Sequence, residues 1–251
     1  MIPKTINFGP LTIHLYGAIV AVAILLGWYF AKKRRQFYNI PQEIFEDPIL
    51  LIPLALAIIG ARAYHVADYW HLYKQNLIST LYIYNGGLGI WGALFGAFLG
   101  FWAVSKIKKL DFLNALDLVA PSLILGQAIG RIGNYINQEG FGPPTNAPWS
   151  VYIDPASRPP IYQNFSHFHP TFFYEAILDL TFFLVLIVLA KKLKRGQAFA
   201  LYLILYSTGR FITEFLRIDT ATIGEIKVAQ LLSAITLLAG VFLIIKLKPS
   251  K

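Results

Sequence analysis

Apolar residues run almost uninterrupted through seven stretches of the chain, and a helix of about 20 such residues crosses a bilayer core. We expect the fourth stretch, which holds Asp117, Gln127 and Arg131, to be enclosed by other helices rather than exposed to lipid. The predicted fold class is all-α, a polytopic membrane helix bundle that forms one integral membrane domain over residues 1–251. The predicted spans are residues 11–31, 48–68, 87–105, 113–132, 169–190, 198–216 and 227–246.

Basic residues distinguish the two sides of this predicted bundle. Positively charged loops remain in the cytoplasm, so the clusters place the N-terminus outside and the C-terminus inside, which requires an odd number of spans. Residues 13–31 show no clear cleavage site, so we expect a retained helix and not a signal peptide. The clusters follow the first, third and fifth spans and the last: Lys32, Lys33, Arg34, Arg35, Lys106, Lys108, Lys109, Lys191, Lys192, Lys194, Arg195, Lys246, Lys248 and Lys251.

Composition agrees with a membrane protein and excludes several kinds of chemistry. Hydrophobic residues make up 56% of the 251 and charged residues only 14%, against about 25% charged residues in soluble domains. The chain has no cysteine, which excludes disulfides, a thiolate nucleophile and cysteine metal sites. The net charge of +9 lies in short clusters beside apolar runs, which is typical of topology signals and not of nucleic-acid binding. No metal-ligand spacing or nucleotide-binding fingerprint occurs, so we expect no metal and no cofactor.

One long loop, at about residues 137–168, is predicted to lie outside. It contains six of the 14 prolines, interleaved with aromatic residues. Long loops without periodicity are usually functional or disordered. The aromatic content favours an ordered flap near the lipid head groups, although a loop that merely rests on the interface is the simpler alternative.

Three arginines fall inside predicted spans: Arg62, Arg131 and Arg210. An arginine at mid-bilayer costs from about 3 to more than 10 kcal/mol, so each needs a partner. With a rise of about 1.5 Å per residue, all three lie in the outer half of the bilayer. One interpretation is pairing within the protein, for example between Arg210 and Glu214 at i+4. The other is a shared anion site, since arginine binds phosphate well and a phospholipid supplies phosphate at this depth.

The spacing of glycines on the third span gives a further prediction. Gly92, Gly96 and Gly100 recur every four residues on the third span, a spacing that is typical of close helix packing in membranes.

Residues 130–139, Gly-Arg-Ile-Gly-Asn-Tyr-Ile-Asn-Gln-Glu, followed by Gly142, resemble the signature of the bacterial prolipoprotein diacylglyceryl transferases. The resemblance covers nearly the whole chain. Further segments resemble family motifs in the same order: Leu15-Tyr16-Gly17, Gly60-Ala61-Arg62, Asn85-Gly86-Gly87-Leu88, His169-Pro170-Thr171 with Tyr174-Glu175, and Tyr206, Gly209-Arg210, Glu214 and Arg217.

The resemblance implies an enzyme of the bacterial cytoplasmic membrane whose site opens toward the outer leaflet. Such an enzyme moves the diacylglyceryl group of phosphatidylglycerol onto the lipobox cysteine of a preprolipoprotein, forming a thioether and releasing glycerol phosphate. Its partners are that lipid and the lipobox signal peptides, with no nucleic acid. The matching positions imply catalytic roles for Arg131, Arg210, Glu139 and Glu214. They imply substrate-binding roles for Tyr16, Arg62, Asn134, Gly142, His169 and Tyr206.

The sequence departs from the family at one position. Many members have a histidine on the third helix that is often assigned as the base, but this chain has Trp91, which cannot accept a proton there. Three explanations stay open: the field of Arg131 and Arg210 activates the thiol, a group such as Glu139, Glu214 or His169 acts as base, or the protein is an inactive relative.

Three other function classes are alternatives to the enzyme. A phospholipid-binding or lipid-moving protein without chemistry would keep the arginines but need no thiol acceptor. A secondary transporter is often built from two repeats with interrupted helices, and the chain has no such repeat. A structural subunit would leave the buried arginines unexplained.

Overall fold

The computed structural model describes residues 3–9, 11–190 and 192–247. Its α-helices are α1 (Leu15–Arg34), α2 (Leu51–Asp68), α3 (Trp70–Tyr73), α4 (Ile90–Ile107), α5 (Phe112–Asn137), α6 (Thr171–Leu189), α7 (Gln197–Glu214) and α8 (Val228–Lys246). Its strands form antiparallel pairs: β1 (Thr5–Phe8) with β2 (Leu11–His14), β3 (Val151–Tyr152) with β4 (His167–Phe168), and β5 (Thr222–Ile223) with β6 (Ile226–Lys227).

The prediction of an all-α membrane protein is confirmed. Among the described residues, six helices are long and apolar enough to cross a membrane, and α7 is not one of them. The first helix starts at Leu15, later than the predicted residue 11, because residues 11–14 pair with residues 5–8 as a hairpin. Of the basic residues behind the topology prediction, Lys191, Lys248 and Lys251 lie outside the described residues.

The contacts divide the chain into two compact units. One consists of the residues up to 38 together with those from 116 onward, and the other of residues 39–115. The expectation of one membrane domain stays a prediction.

In the unit of residues 39–115, glycines let α2 and α4 approach backbone to backbone. A Cβ added to Gly60 would lie 2.3 Å from the carbonyl oxygen of Gly92, and one on Gly96 would lie 2.0 Å from that of Leu56. A Cβ on Gly100 would meet the Pro53 backbone at 2.6 Å. The close packing predicted from the four-residue glycine spacing is therefore confirmed.

In the other unit, α5 is the most enclosed of the six helices that are long and apolar enough to cross a membrane. Half of its apolar window is buried, against 11–28% for the other five, which agrees with its polar content. The carboxylate of Asp117, only 1% exposed, accepts hydrogen bonds from the backbone N–H groups of Gly196 and Phe199. These groups lie at the start of α7, where a helix leaves N–H groups without partners and favours negative charge. Asp117 therefore ties α5 to the first turn of α7.

A small apolar core orders the long loop between α5 and α6. It consists of Phe141, Ile153, Phe168 and Phe172, each at most 2% exposed. Strands β3 and β4 pair beside it, with Val151 opposite Phe168. The loop is thus held against the first turn of α6, which carries part of the candidate site.

The glycine contacts predict the effect of one added methyl group. Gly96→Ala would push against the Leu56 backbone, and overpacking of this kind costs about 1–3 kcal/mol. Gly126→Ala is the matched control, because a Cβ at this helical position meets nothing within 4 Å and alanine favours a helix by about 0.5–1 kcal/mol. Thermal unfolding of the detergent-solubilised variants measures the difference. Equal stability of the two variants would contradict the assigned packing.

Candidate active site

Three successive helices, each antiparallel to the one before it, bring charged residues to one end of their unit. Arg131 lies near the end of α5, Glu175 near the start of α6 and Arg210 near the end of α7. Since successive helices reverse direction, these positions meet at the same height. The depth that the sequence predicted for Arg131 and Arg210, in the outer half of the bilayer, stays a prediction.

Glu175 is the centre of the charged cluster and is only 4% exposed. Its Oε2 forms an ion pair with Arg131 Nη2. Its Oε1 accepts a hydrogen bond from Arg210 Nη1 at 2.9 Å and contacts Arg217 Nη1 at 3.4 Å. One buried carboxylate therefore holds three guanidinium groups that would otherwise repel each other.

Glu214 holds the other side of Arg210. Its side chain is fully buried and its Oε2 lies 2.6 Å from Arg210 Nη2, so the pairing at i+4 that the sequence suggested is present. The Thr220 hydroxyl donates to the other oxygen of Glu214. Lys227 Nζ donates to the carbonyls of Glu214 and Arg217, at 2.6 and 2.7 Å, where the last carbonyls of α7 need donors.

Arg217 follows the end of α7 and closes the cluster toward the loop. Burial by itself would lower the pKa of its guanidinium, but Asp219, Glu175 and Glu214 raise that pKa above its ordinary value. Arg217 Nη2 lies 3.1 Å from Asp219 Oδ1, and Asp219 Oδ2 accepts the N–H of Gly140 at 2.7 Å. Arg217 therefore stays charged and connects the network to the turn after α5.

A second chain of contacts runs from Arg131 to Glu139. Arg131 Nη1 donates to Asn134 Oδ1 at 3.2 Å, and Asn134 Nδ2 donates to Glu139 Oε1 at 3.1 Å. Asn137 Nδ2 donates to the same oxygen at 3.3 Å. The chain turns back at this point because Gln138 and Gly140 both have positive φ, 56° and 70°. Among the sequence-predicted residues, the structure brings together Arg131, Asn134, Glu139, Arg210 and Glu214.

Tyr16 and Gly142 have packing contacts in the same unit. The ring of Tyr16 covers Gly133, where a Cβ would lie 2.5 Å from a ring carbon. Gly142 donates its N–H to the His169 carbonyl at 2.8 Å, and a Cβ there would lie 2.9 Å from three neighbouring atoms. Gly133 and Gly142 are therefore sites of close approach, where a larger residue would displace its neighbours.

His169 is bonded to neighbouring aromatic residues. Its Nδ1 lies 3.1 Å from the Tyr174 hydroxyl, which also accepts from Trp149 Nε1 at 2.8 Å. This bonding links the loop to the first turn of α6. A role for His169 in substrate binding stays a prediction.

The guanidinium of Arg62, in the unit of residues 39–115, donates hydrogen bonds to four backbone carbonyls. It donates to Ser79 and Thr80 at 2.7 Å, to Gly86 at 2.8 Å and to Gly87 at 3.1 Å. Its guanidinium also lies over the ring of Tyr73, 5.1 Å from the centroid. These contacts close the loop between α3 and α4 around the cation. The predicted role of Arg62 in substrate binding stays a prediction beside this structural one.

Two polar residues that lie one turn deeper than the arginines were not assigned to a site from the sequence. Asp179, 5% exposed, lies four residues after Glu175 on α6. Gln127 lies four residues before Arg131 on α5 and donates to the Tyr202 hydroxyl at 3.1 Å. Glu175 and Asp179 are four residues apart in an apolar helix, which places both on one helix face. This spacing could have indicated from the sequence that Asp179 lies near the charged cluster.

The arrangement is suited to binding an anion. Arg131 and Arg210 are each fixed by carboxylates yet keep 17% of their side-chain surface accessible. Guanidinium groups of this kind bind phosphate through paired N–H donors. Within the described part of the chain, no group of three or more histidine and acidic side chains is arranged to hold a metal ion.

Comparisons with known proteins agree with this chemistry. A family model described as prolipoprotein diacylglyceryl transferase matches residues 3–246. Proteins named phosphatidylglycerol–prolipoprotein diacylglyceryl transferase are similar over most of their length. The one from Acaryochloris marina is 40% identical over 93% of this chain and 86% of its own. Those from Finegoldia magna and Thermotoga maritima are each 41% identical over 93% of this chain, and over 90% and 80% of their own.

Removing the charge of the Glu175 carboxylate should lower the stability of the folded protein. Glu175→Gln would leave the arginines without their shared counter-ion, and breaking a buried pair costs about 3–5 kcal/mol. We expect a large drop in the thermal unfolding midpoint. Glu225→Gln, at an exposed position, is the control and should change little. A stable Glu175→Gln protein would show that Glu175 does not hold the arginines.

The structural role of Arg62 can be tested by hydrogen exchange in the loop whose carbonyls it binds. Arg62→Met should release residues 79–87, which lose four carbonyl contacts, and hydrogen exchange of that segment should rise. Lys74→Met, at an exposed position of the same unit, serves as the control. Unchanged exchange in Arg62→Met would rule out the structural role.

Proposed function

Because the chain belongs to the prolipoprotein diacylglyceryl transferase family, we propose that it uses Arg131 and Arg210 to transfer a diacylglyceryl group from phosphatidylglycerol to a prolipoprotein. It is a multi-pass membrane protein and a transferase that acts in lipoprotein maturation.

The observation that carries the proposal is the pair of arginines held by buried carboxylates. Glu175 and Glu214 fix Arg210 from two sides, at 2.9 and 2.6 Å, and Glu175 also pairs with Arg131. A site with fixed donors needs little reorganisation when charge develops on a bound phosphate, and this favours the transition state. The same donors would align the lipid with the attacking sulfur.

The proposed reaction displaces glycerol phosphate from a glycerol carbon. The lipobox cysteine supplies the sulfur, which explains why an enzyme without cysteine can make a thioether. The thiol loses its proton, sulfur bonds to the carbon, and the carbon–oxygen bond breaks. The electron pair leaves with the phosphate oxygen, whose negative charge Arg131 and Arg210 neutralise.

The thiol proton needs an acceptor, and Trp91 cannot provide one. Glu214 is fully buried and already bound to Arg210 and Thr220, and His169 is bonded to Tyr174. Glu139 is exposed and connected to Arg131 through Asn134. We therefore assign Glu139 as proton acceptor, with the arginine charges lowering the cost of forming the thiolate.

We also propose seven spans in a bacterial cytoplasmic membrane, with the N-terminus outside. Helix α7 has 18 residues, as many as α4, and its polar residues are turned toward other helices: Ser207, Thr213 and Glu214 are at most 3% exposed. It would be the seventh span. The positive loops then face the cytoplasm, and the arginine site faces the outer leaflet, where exported substrates emerge.

A non-catalytic lipid-binding protein is the second candidate, favoured only by Trp91 at the position of the family's histidine. It would use the same arginines for phosphate but would modify no thiol. Product formation distinguishes the two candidates.

A mass-shift assay tests the proposed function. Purified protein, phosphatidylglycerol micelles and a lipobox peptide should give a peptide heavier by one diacylglyceryl group. Arg131→Ala should lower the rate at least a hundredfold, because one charge-stabilising donor contributes about 10²–10³. Thr181→Val, on the exposed face of α6, is the control and should keep the activity of the wild type.

The Trp91→His variant, measured in the same assay, tests whether a histidine at position 91 is needed for activity. Its rate should match the wild type within a few-fold, since the proposed acceptor is Glu139. No product from the wild type together with product from Trp91→His would favour the lipid-binding candidate, because it would show that this chain lacks a functional base.

A further inference from the structure

One helical turn from the charged cluster, toward the middle of α5, α6 and α7, lies a second layer of polar residues. Residues four apart share a helix face, so each member faces the same side of its helix as the charged residue one turn away. Gln127 and Tyr206 are half-buried, and Asp179 is 5% exposed. The set, here called the second layer, consists of Gln127, Asp179 and Tyr206, together with Tyr202 a further turn along α7.

Contacts show that the second layer is one cluster. Gln127 Nε2 donates to the Tyr202 hydroxyl at 3.1 Å, and the rings of Tyr202 and Tyr206 stack with their centroids 6.0 Å apart. Asp179 interacts electrostatically with Tyr206 and with Arg131. The second layer is therefore continuous with the arginine site.

The second layer has unused hydrogen-bonding atoms. Among the described residues, Asp179 Oδ2, Gln127 Oε1 and Arg131 Nε are buried without a hydrogen-bond partner. Leaving such atoms unpaired in the interior is costly. Two of the three atoms are acceptors and one is a donor, so a ligand that satisfies them must both donate and accept hydrogen bonds.

The two proposed substrates differ in this respect. The ester groups and the acyl chains of a diacylglyceryl lipid, which lie on this side of its phosphate, have no hydrogen-bond donor. A peptide has one N–H donor and one C=O acceptor in each residue other than proline. Inside a bilayer these backbone groups need partners, because no water is available to bind them. The second layer therefore fits a peptide backbone and not the lipid.

We propose that the second layer binds the backbone of the lipobox peptide at the residues just before its cysteine. This inference rests on the proposed function. With the sulfur beside Arg131 and Arg210, the residues that precede the cysteine lie deeper in the bilayer, because the signal peptide leads up to the cysteine from the cytoplasmic side. An extended chain rises about 3.3 Å per residue and one helical turn is about 5.4 Å. The first or second residue before the cysteine is then level with the second layer.

The hydrogen-bonding pattern agrees with an extended peptide. The N–H and C=O of one residue in an extended chain point to the same side. One lipobox residue can therefore donate to Asp179 Oδ2 and accept from Arg131 Nε, while Gln127 Oε1 is the second acceptor. This recognition does not depend on the side chain, so it suits an enzyme that acts on peptides of different sequence.

Asp179 is thus a positioning residue, which fixes the peptide so that its sulfur is held near the reacting carbon. The test uses four lipobox peptides in phosphatidylglycerol micelles. One is unmodified, and two have an ester in place of the amide N–H of the first or the second residue before the cysteine. The fourth has the ester three residues after the cysteine. An ester keeps the length of the chain and removes one donor.

In the wild type, at least one of the two esters before the cysteine should lower kcat/KM about tenfold, and the ester after it should change kcat/KM less than about twofold. Asp179→Leu should use the unmodified peptide and the sensitive ester peptide equally, within about twofold, because the acceptor is absent. A general loss of structure would lower both rates without changing their ratio. Thr181→Val, at an exposed position of the same helix, should retain the wild-type ratio.

Gln127→Leu removes the other unpaired acceptor and is the second variant if Asp179→Leu does not fold, with the same expectation. Equal use of all four peptides by the wild type would overturn the inference and would assign the unpaired atoms to bound water. A preference for the amide that is unchanged in the variant would also overturn it.

Equilibrium binding of the same peptides separates this inference from the proposed function. Absence of transfer with every peptide would count against the proposed function alone. Tighter binding of the amide peptide by the wild type, lost in Asp179→Leu, would still support the inference.

Discussion

The contact of one buried carboxylate with three arginines is the interaction on which the site depends. Glu175 pairs with Arg131 from α5 and with Arg210 and Arg217 from α7 and the segment after it. In a low-dielectric interior, cations this close repel each other strongly unless a counter-ion lies between them. Glu175 therefore joins three elements of one unit and keeps the guanidinium groups of Arg131 and Arg210 beside each other.

This electrostatic arrangement has a consequence for catalysis. Glu214 and Glu175 neutralise much of the arginine charge in the resting protein, so the site is stable without a lipid. On the proposed function, an incoming phosphate would meet donors that are already oriented, and charge that develops on the leaving oxygen would be stabilised without rearrangement. An apolar substitute of equal volume is often as stable as a buried ion-pair cluster, so we infer that this cluster is suited to reactivity rather than to stability.

The sequence alone predicted the helices and half of the charged cluster. Arginines in apolar helices are costly enough to signal a site, and Arg131, Asn134, Glu139, Arg210 and Glu214 were found together. The hairpin at residues 5–14 was missed because strand pairing within an apolar run has no distinct pattern. The carbonyl contacts of Arg62 were also missed, since backbone acceptors depend on loop geometry that no side-chain pattern encodes. Asp179 was missed, although its spacing of four residues from Glu175 in an apolar helix is visible in the sequence.

The most direct test of the account is an experimental structure of the protein with phosphatidylglycerol bound. The account predicts phosphate oxygens within hydrogen-bonding distance of the Arg131 and Arg210 guanidinium groups, with Glu175 still between the arginines and Arg62 still bound to the carbonyls of residues 79–87. A phosphate bound away from Arg131 and Arg210, with the Glu175 contacts unchanged, would contradict it, because the carboxylate-held arginines would then be only a structural ion-pair network.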